Sequence, residues 1–324
     1  LSSPLIARRR RLSELCARPV SMRNVESLNE EEPLMKSSKG GTVDSDVKTM
    51  LAGVANALVA ATYVEDAFRT LSDWKGQYEY IVGNTGFVPA GWLLVAITAV
   101  QVSSVAIVVP ASCCPQMAKP IIGVCCALGL TVLLQPLLYN LLELSQNVTI
   151  LLVCMAFAQL GALGLIICES HKVDVASKAA SSRSTTKYEE EPLFSWIQLV
   201  SRFLITIDLV CVTMYRLYTV LLVSQEEKGT QSLGMHFKLV TPLAFIVVIM
   251  VWLGYKTAYV ALMAAFTTFV EAFIRFPFWA DVAGKGSDYT DFMRFHFFQA
   301  MTPVGGFLLV AICGPGKLSL DKKD

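Results

Sequence analysis

Ionisable side chains lie inside long apolar runs of this chain: Glu65, Asp66 and Arg69, then Arg202, Asp208 and Arg216, then Glu271 and Arg275. Placing a charge at the centre of a membrane-crossing helix costs about 2.5–3.5 kcal/mol, so such residues must pair or face a polar interior. Their spacing allows it. Glu65 and Arg69 stand four apart, as do Glu271 and Arg275, and residues four apart share a helix face. Asp208 and Arg216 are eight apart, close to two full turns, and share a face by the same rule. The chemistry such groups support is ligand binding in a polar hollow of the bundle. For Glu65, Asp66, Arg69 and Arg275, all near span ends, snorkelling to the interface is an equal reading, whereas for Arg202 and Asp208 the polar interior is the preferred one.

Other reactive types are poorly placed for catalysis. The three histidines, His171, His236 and His296, are scattered, and no cysteine pair has metal-ligand spacing with a histidine nearby. The nine cysteines include Cys125, Cys126, Cys154, Cys168, Cys211 and Cys313 in apolar runs, where they read as small apolar fillers. Cys113 and Cys114 sit at a span end, where palmitoylation would be chemically allowed. The expectation is no catalytic residue, no metal and no cofactor.

These groups must be held by membrane helices. Of 324 residues, 54% are hydrophobic and only 16% charged, and the mean hydropathy is +0.53. A soluble chain carries about a quarter of its residues as charges, so this one lacks the polar surface for a water-soluble globule. A net charge of +1 provides no field to attract nucleic acid. Runs long enough for about 20-residue crossings fall near 50–70 and at 87–109, 120–142, 147–168, 196–223, 237–254, 257–279 and 296–313. The expected fold is all-α, a polytopic transmembrane bundle of about eight spans (seven is the other count) in two sets of four. The run 237–254 is short, and with 257–279 it should form a tight hairpin about Lys256. Pro136, Pro242 and Pro303 read as packing features, and Gly305–Gly306 as a place where a neighbouring helix approaches closely.

The organisation expected is a disordered cytosolic arm at 1–46, spans 1–4 over 47–168 and a cytosolic linker at 169–195. Spans 5–8 over 196–314 and a cytosolic tail at 315–324 complete it. The arm carries Arg8–Arg11 and then Glu30–Glu32, a composition that does not bury a core. Residues 1–21 also fit a basic targeting segment, and no secretory signal peptide is read there. With eight spans and a cytosolic N-terminus, 18 Lys and Arg fall on cytosolic segments and five on lumenal ones. That asymmetry puts both termini in the cytosol. Asn147–Val148–Thr149 matches a glycosylation pattern too close to the membrane edge to be used.

The last third carries a recognisable series. Phe292-Met-Arg-Phe-His-Phe297-Phe298-Gln299-Ala-Met301 leads to Gly305–Gly306 and then to Gly314–Pro315–Gly316, with Lys322 and Lys323 beyond. Tyr63–Val64–Glu65–Asp66–Ala67–Phe68–Arg69 with Trp74, and Gly254–Tyr255–Lys256–Thr257 with Phe278–Trp279, add two further stretches. Over roughly 55–321 the chain resembles the surfeit locus protein 4 (Erv-type) family of endoplasmic-reticulum cargo receptors. Arg202 matches an arginine early in that family's fifth span.

The resemblance implies export of soluble secretory proteins from endoplasmic reticulum to Golgi. Cargo would be bound in the lumen, commonly by its amino-terminal residues, and carried in COPII vesicles, with return in COPI vesicles. It implies lumenal cargo and both coats as partners, with the bilayer as solvent and self-association allowed. A cargo pocket would draw on Glu65, Asp66, Arg69, Trp74, Arg202, Asp208 and Phe278. The family's dilysine retrieval signal is displaced here: Lys322 and Lys323 stand third and second from the end, and Asp321 is fourth. A small-molecule or lipid transporter of the endomembrane system is the alternative, and a membrane subunit of a redox enzyme the more distant one.

Overall fold

The computed structural model describes residues 41–87, 89–111, 118–138, 146–181, 192–226, 242, 244–280, 287–314, 316 and 319–320. The chain divides into two units, Leu1–Gly41 and Thr42–Asp324. Apart from Gly41, the described residues belong to the second. They form nine helices and no strand: α1 (Gly41–Ser72), α2 (Trp74–Thr85), α3 (Ala90–Ala111), α4 (Ala118–Leu138), α5 (Gln146–Ser181), α6 (Pro192–Glu226), α7 (Ala244–Leu253), α8 (Thr257–Arg275) and α9 (Ser287–Cys313).

Seven of these are long and apolar enough to cross a membrane, all but α2 and α7. Helices are the form such runs must take, because hydrocarbon offers no partner for a free N–H or C=O. Of the run expected as a sixth crossing, 237–254, the described part is residue 242 and residues 244–254. Its described helix, α7, has ten residues and rises only about 15 Å, half of a hydrocarbon core. It ends at a three-residue turn into α8, in which Gly254 (φ 68°) and Lys256 (φ 45°) are left-handed. That is the turn expected between the two arms of the hairpin. The segment expected as a linker is partly helical: α5 runs on through 169–181 before the described residues break off.

Short helix α2 is punctuated locally. The Asp73 carboxylate accepts from the Gly76 N–H (3.2 Å), and Gly86 (φ 65°) closes the other end by donating its N–H to Val82 O (2.9 Å).

Packing pairs α3 with α4, α4 with α5, α5 with α6 and with α9, and α8 and α6 with α9. Helix α1 is tied to α3 by the Asn56 side-chain amide on Val108 O, and to α9 by Thr62 on Thr302 and on Phe298 O. Buried residues of α1 and of α3 to α9 form one core, with Phe307, Ile205, Leu165 and Ile121 sealed from solvent. Glycines let backbones meet. A Cβ at Gly305 would lie 2.6 Å from Ala55 O of α1, and one at Gly161 would lie 2.7 Å from Ser201 O of α6. Gly306 presses on Ile205 in the same way.

Candidate functional site

One end of the bundle is polar. Helix α1 brings Glu65 and Asp66 there side by side, 7% and 6% exposed. Consecutive helical residues diverge by about 100°, so the two carboxylates meet different neighbours. Asp66 accepts from the side-chain amides of Gln101 on α3 and Gln135 on α4, both at 2.6 Å, and from Arg69 at 3.0 Å. Glu65 takes Arg294 of α9 at 2.7 Å, and Arg294 also holds Asp291 at 3.3 Å. The expected Glu65–Arg69 pair is therefore replaced by two others. Arg294 reaches Glu65 across the helix interface, which leaves Arg69 to Asp66 one residue closer. The Arg69 guanidinium also lies 4.3 Å from the centre of the Phe295 ring, and that of Arg294 lies 5.5 Å from Phe68. The Glu271–Arg275 pair on α8 forms as its spacing predicts, at 3.6 Å.

Above this group opens a cavity of about 710 Å³ between α1, α2, α4, α5 and α9. That is the size range of small-ligand sites. Arg69, Tyr80, Gln135, Gln159, His296 and Gln299 supply its polar lining, and Phe292, Phe295, Val132, Leu152 and Met155 its apolar walls. A narrow recess of about 10 Å³ continues to Asp66, Thr62 and Tyr63. A separate chamber of about 50 Å³ lies behind, among Asp208, Thr268, Glu271, Arg275 and Gln299. Asp208 Oδ1, Thr268 Oγ1 and Gln299 Oε1 have no hydrogen-bond partner among the described residues. Met155 and Gln299 line both spaces.

The residues expected to build one pocket are distributed. Asp66 and Arg69 sit at the cavity and its recess, and Glu65 adjoins them but is engaged by Arg294. Asp208 faces the smaller chamber. Trp74 packs on the small α2–α3 core of Ile81, Ala90 and Leu94. Phe278 lies in an aromatic cluster with Trp279 (5.1 Å), Phe297 (5.3 Å) and Phe298 (6.1 Å). Of the terminal series, Gln299 lines the cavity and Phe298 lends its carbonyl to Thr62.

Arg202 belongs to the opposite end. It is 1% exposed, and none of its guanidinium nitrogens has a hydrogen-bond partner among the described residues. A Cβ at Gly254 would stand 3.1 Å from one of them and 2.4 Å from Ser319 Cβ. Residues after α9 fold beneath this end. Lys172 donates to Cys313 O and Gln198 to Gly314 O, each at 2.7 Å, and the Leu320 N–H donates to Leu253 O at 2.9 Å. Gly316 (φ 72°) packs on Gln198. Pro315, Lys322 and Lys323 lie outside the described residues, as do the side chain of Arg216 and His236.

Sequence reasoning passed over Gln101, Gln135, Gln159 and Arg294. The signal available for the glutamines was an amide inside an otherwise apolar run, costly to bury unless partnered.

The SURF4 family model matches residues 36–324. The chain is 26% identical to a Surfeit locus protein 4 homolog of Schizosaccharomyces pombe over 272 residues, 82% of this chain and 79% of that one. It is 26% identical to a Surfeit locus protein 4 homolog of Drosophila melanogaster over 281 residues, 85% of this chain and 90% of the other. It is 25% identical to the ER-derived vesicles protein ERV29 of Saccharomyces cerevisiae over 280 residues, 86% and 78% respectively. No solved structure matches it. The chain belongs to the SURF4 family.

Proposed function

We propose that this member of the SURF4 family is a receptor that gathers soluble secretory proteins at the lumenal face of the endoplasmic reticulum. It loads them into COPII vesicles for the Golgi and returns in COPI vesicles, with both termini in the cytosol. The name of the yeast relative, an ER-derived vesicles protein, supports the compartment and the carrier. The asymmetry of Lys and Arg along the sequence supports the orientation, which turns the polar end and its cavity to the lumen.

The observation that carries the reading is the 710 Å³ cavity with the Asp66–Arg69 pair at its floor. A cargo amino-terminus offers an ammonium group followed by side chains and peptide bonds. Asp66 has accepted three bonds, and a carboxylate has about four acceptor positions. One remains for an incoming N–H. The glutamine amides of the lining can both donate to and accept from an extended backbone, while Phe292 and Phe295 cover apolar side chains. Arg69 holds the Asp66 carboxylate in place. Glu65 acts by anchoring Arg294, and Trp74 and Phe278 act by holding elements around the cavity, while Asp208 faces the chamber behind it and Arg202, at the opposite end, stands outside the pocket. No bond is made or broken in this reading.

Filling the cavity tests it. Ala156 lines the cavity wall, and Ala156→Trp should leave membrane insertion unchanged while soluble secretory proteins stay behind in a microsome budding reaction. Normal cargo packaging by a correctly inserted Trp variant would reject the cavity as the cargo site. Loss of small-molecule or lipid flux in proteoliposomes, with cargo packaging intact, would favour the transporter.

A further inference from the structure

Two thiols face each other where the sequence suggested only apolar filler. Cys154 of α5 and Cys211 of α6 have their sulfurs 2.8 Å apart. Both are free thiols. A disulfide needs about 2.05 Å between the same atoms, so closing the bond asks for less than an ångström of approach. The two helices are already pressed together along this seam by Gly161 and Gly164 against Ser201. The pair lies at the cavity end. Met155, next to Cys154, lines both the cavity and the chamber behind it, and Asp208, one turn before Cys211, faces the chamber.

We propose that Cys154 and Cys211 are a redox pair that closes into a disulfide and staples α5 to α6 at the back of the cavity. The oxidant is a low-molecular-weight disulfide of the oxidising lumen, of the oxidised-glutathione class. Cys211 is half-buried and Cys154 only 6% exposed, so Cys211 reacts first. Its thiolate, having released a proton, attacks one sulfur of the external disulfide. That S–S bond breaks, one glutathione leaves as thiolate, and a mixed disulfide remains on Cys211. Cys154, losing its own proton, attacks the Cys211 sulfur and expels the second glutathione. The sum is two cysteine thiols oxidised to one disulfide and one glutathione disulfide reduced to two thiols. The bond then fixes the distance between the two helices that frame the chamber, and reduction releases it. The oxidised state in cells rests on the lumenal orientation proposed above; the reactivity of the pair does not.

Full-length protein quenched with N-ethylmaleimide at lysis and digested without reductant should yield one peptide pair joined through Cys154 and Cys211. Reduction should free two alkylatable thiols, and oxidised glutathione added to the purified, reduced protein should restore the link. C154S and C211S should each abolish it and leave the other thiol free. Failure of oxidised glutathione to link the two in folded wild-type protein overturns the proposal. Linkage in vitro with free thiols in quenched cells upholds the pair and overturns instead the placement of this end in the lumen.

Discussion

Arg294 shows what a single side chain contributes at the polar end, because it neutralises Glu65 from another helix at 2.7 Å. Removing one partner of a buried pair strands the other charge, at about 3–5 kcal/mol; Arg294 retains some exposure, so about 2–3 kcal/mol is the appropriate scale here. R294M should lower the thermal unfolding midpoint in detergent, and E65Q added to it should recover much of the loss. A double variant as unstable as R294M would show that the pair is not what R294M breaks. Q135L removes one of the two amides on Asp66 Oδ2 and should cost about 1.5–3 kcal/mol. It should also weaken cargo co-precipitation, read against the protein's own midpoint. At this scale the sequence showed which charges had to be buried but not what each would meet. Spacing along one helix proposed Glu65–Arg69, while the deciding partner, Arg294, stands 229 positions away. Cys154 and Cys211 escaped for the same reason: 57 positions apart, they become neighbours only through the α5–α6 crossing.

Helices touch in this molecule where glycine permits. At Gly305 a Cβ would meet the Ala55 carbonyl at 2.6 Å, backbone that cannot yield by rotating a side chain. G305L should therefore separate α1 from α9, seen as loss of a monodisperse peak in detergent size exclusion. Gly83 in α2 is the counter-case, with nothing within 4 Å of its would-be Cβ. There G83A should stabilise by about 0.5–1 kcal/mol, since mid-helix glycine costs that much relative to alanine. A fall in the unfolding midpoint on G83A would contradict the open surroundings. Element by element, the long apolar runs were legible because length and hydropathy are local properties. The hairpin was legible from Lys256 standing alone between two runs. The start of its first arm, expected at 237, lies outside the described residues apart from 242. A Ser, Ala and Lys-rich stretch does not reveal that α5 continues to Ser181.

Taken whole, the bundle has two unlike ends: one with the cavity and its ion pairs, the other with Arg202 buried and the residues after α9 tucked beneath. Lys172 donates to Cys313 O, the last carbonyl of α9, where that returning segment begins. K172M should leave the cavity end intact and make the segment after α9 several-fold more sensitive to protease in detergent. Unchanged cleavage would mean that Gln198 and Leu320 suffice to hold it. Sidedness is tested by Y80C, a cavity-lining position. A membrane-impermeant maleimide should label it only after sealed microsomes are opened. Labelling of intact microsomes would turn the cavity toward the cytosol and remove the receptor reading. The cavity could not be read from the sequence, since it is enclosed by side chains from five helices.

Met155 and Gln299 form a party wall between the large cavity and the small chamber, and that arrangement governs which substitutions can be interpreted. A change at either residue disturbs both rooms at once, so its phenotype has no single address. Ala156 borders only the first room and Thr268 only the second. If a ligand in the first alters the behaviour of a reporter at 268, the message has crossed that wall, and by reciprocity a change at 268 must return to the ligand's affinity with equal weight.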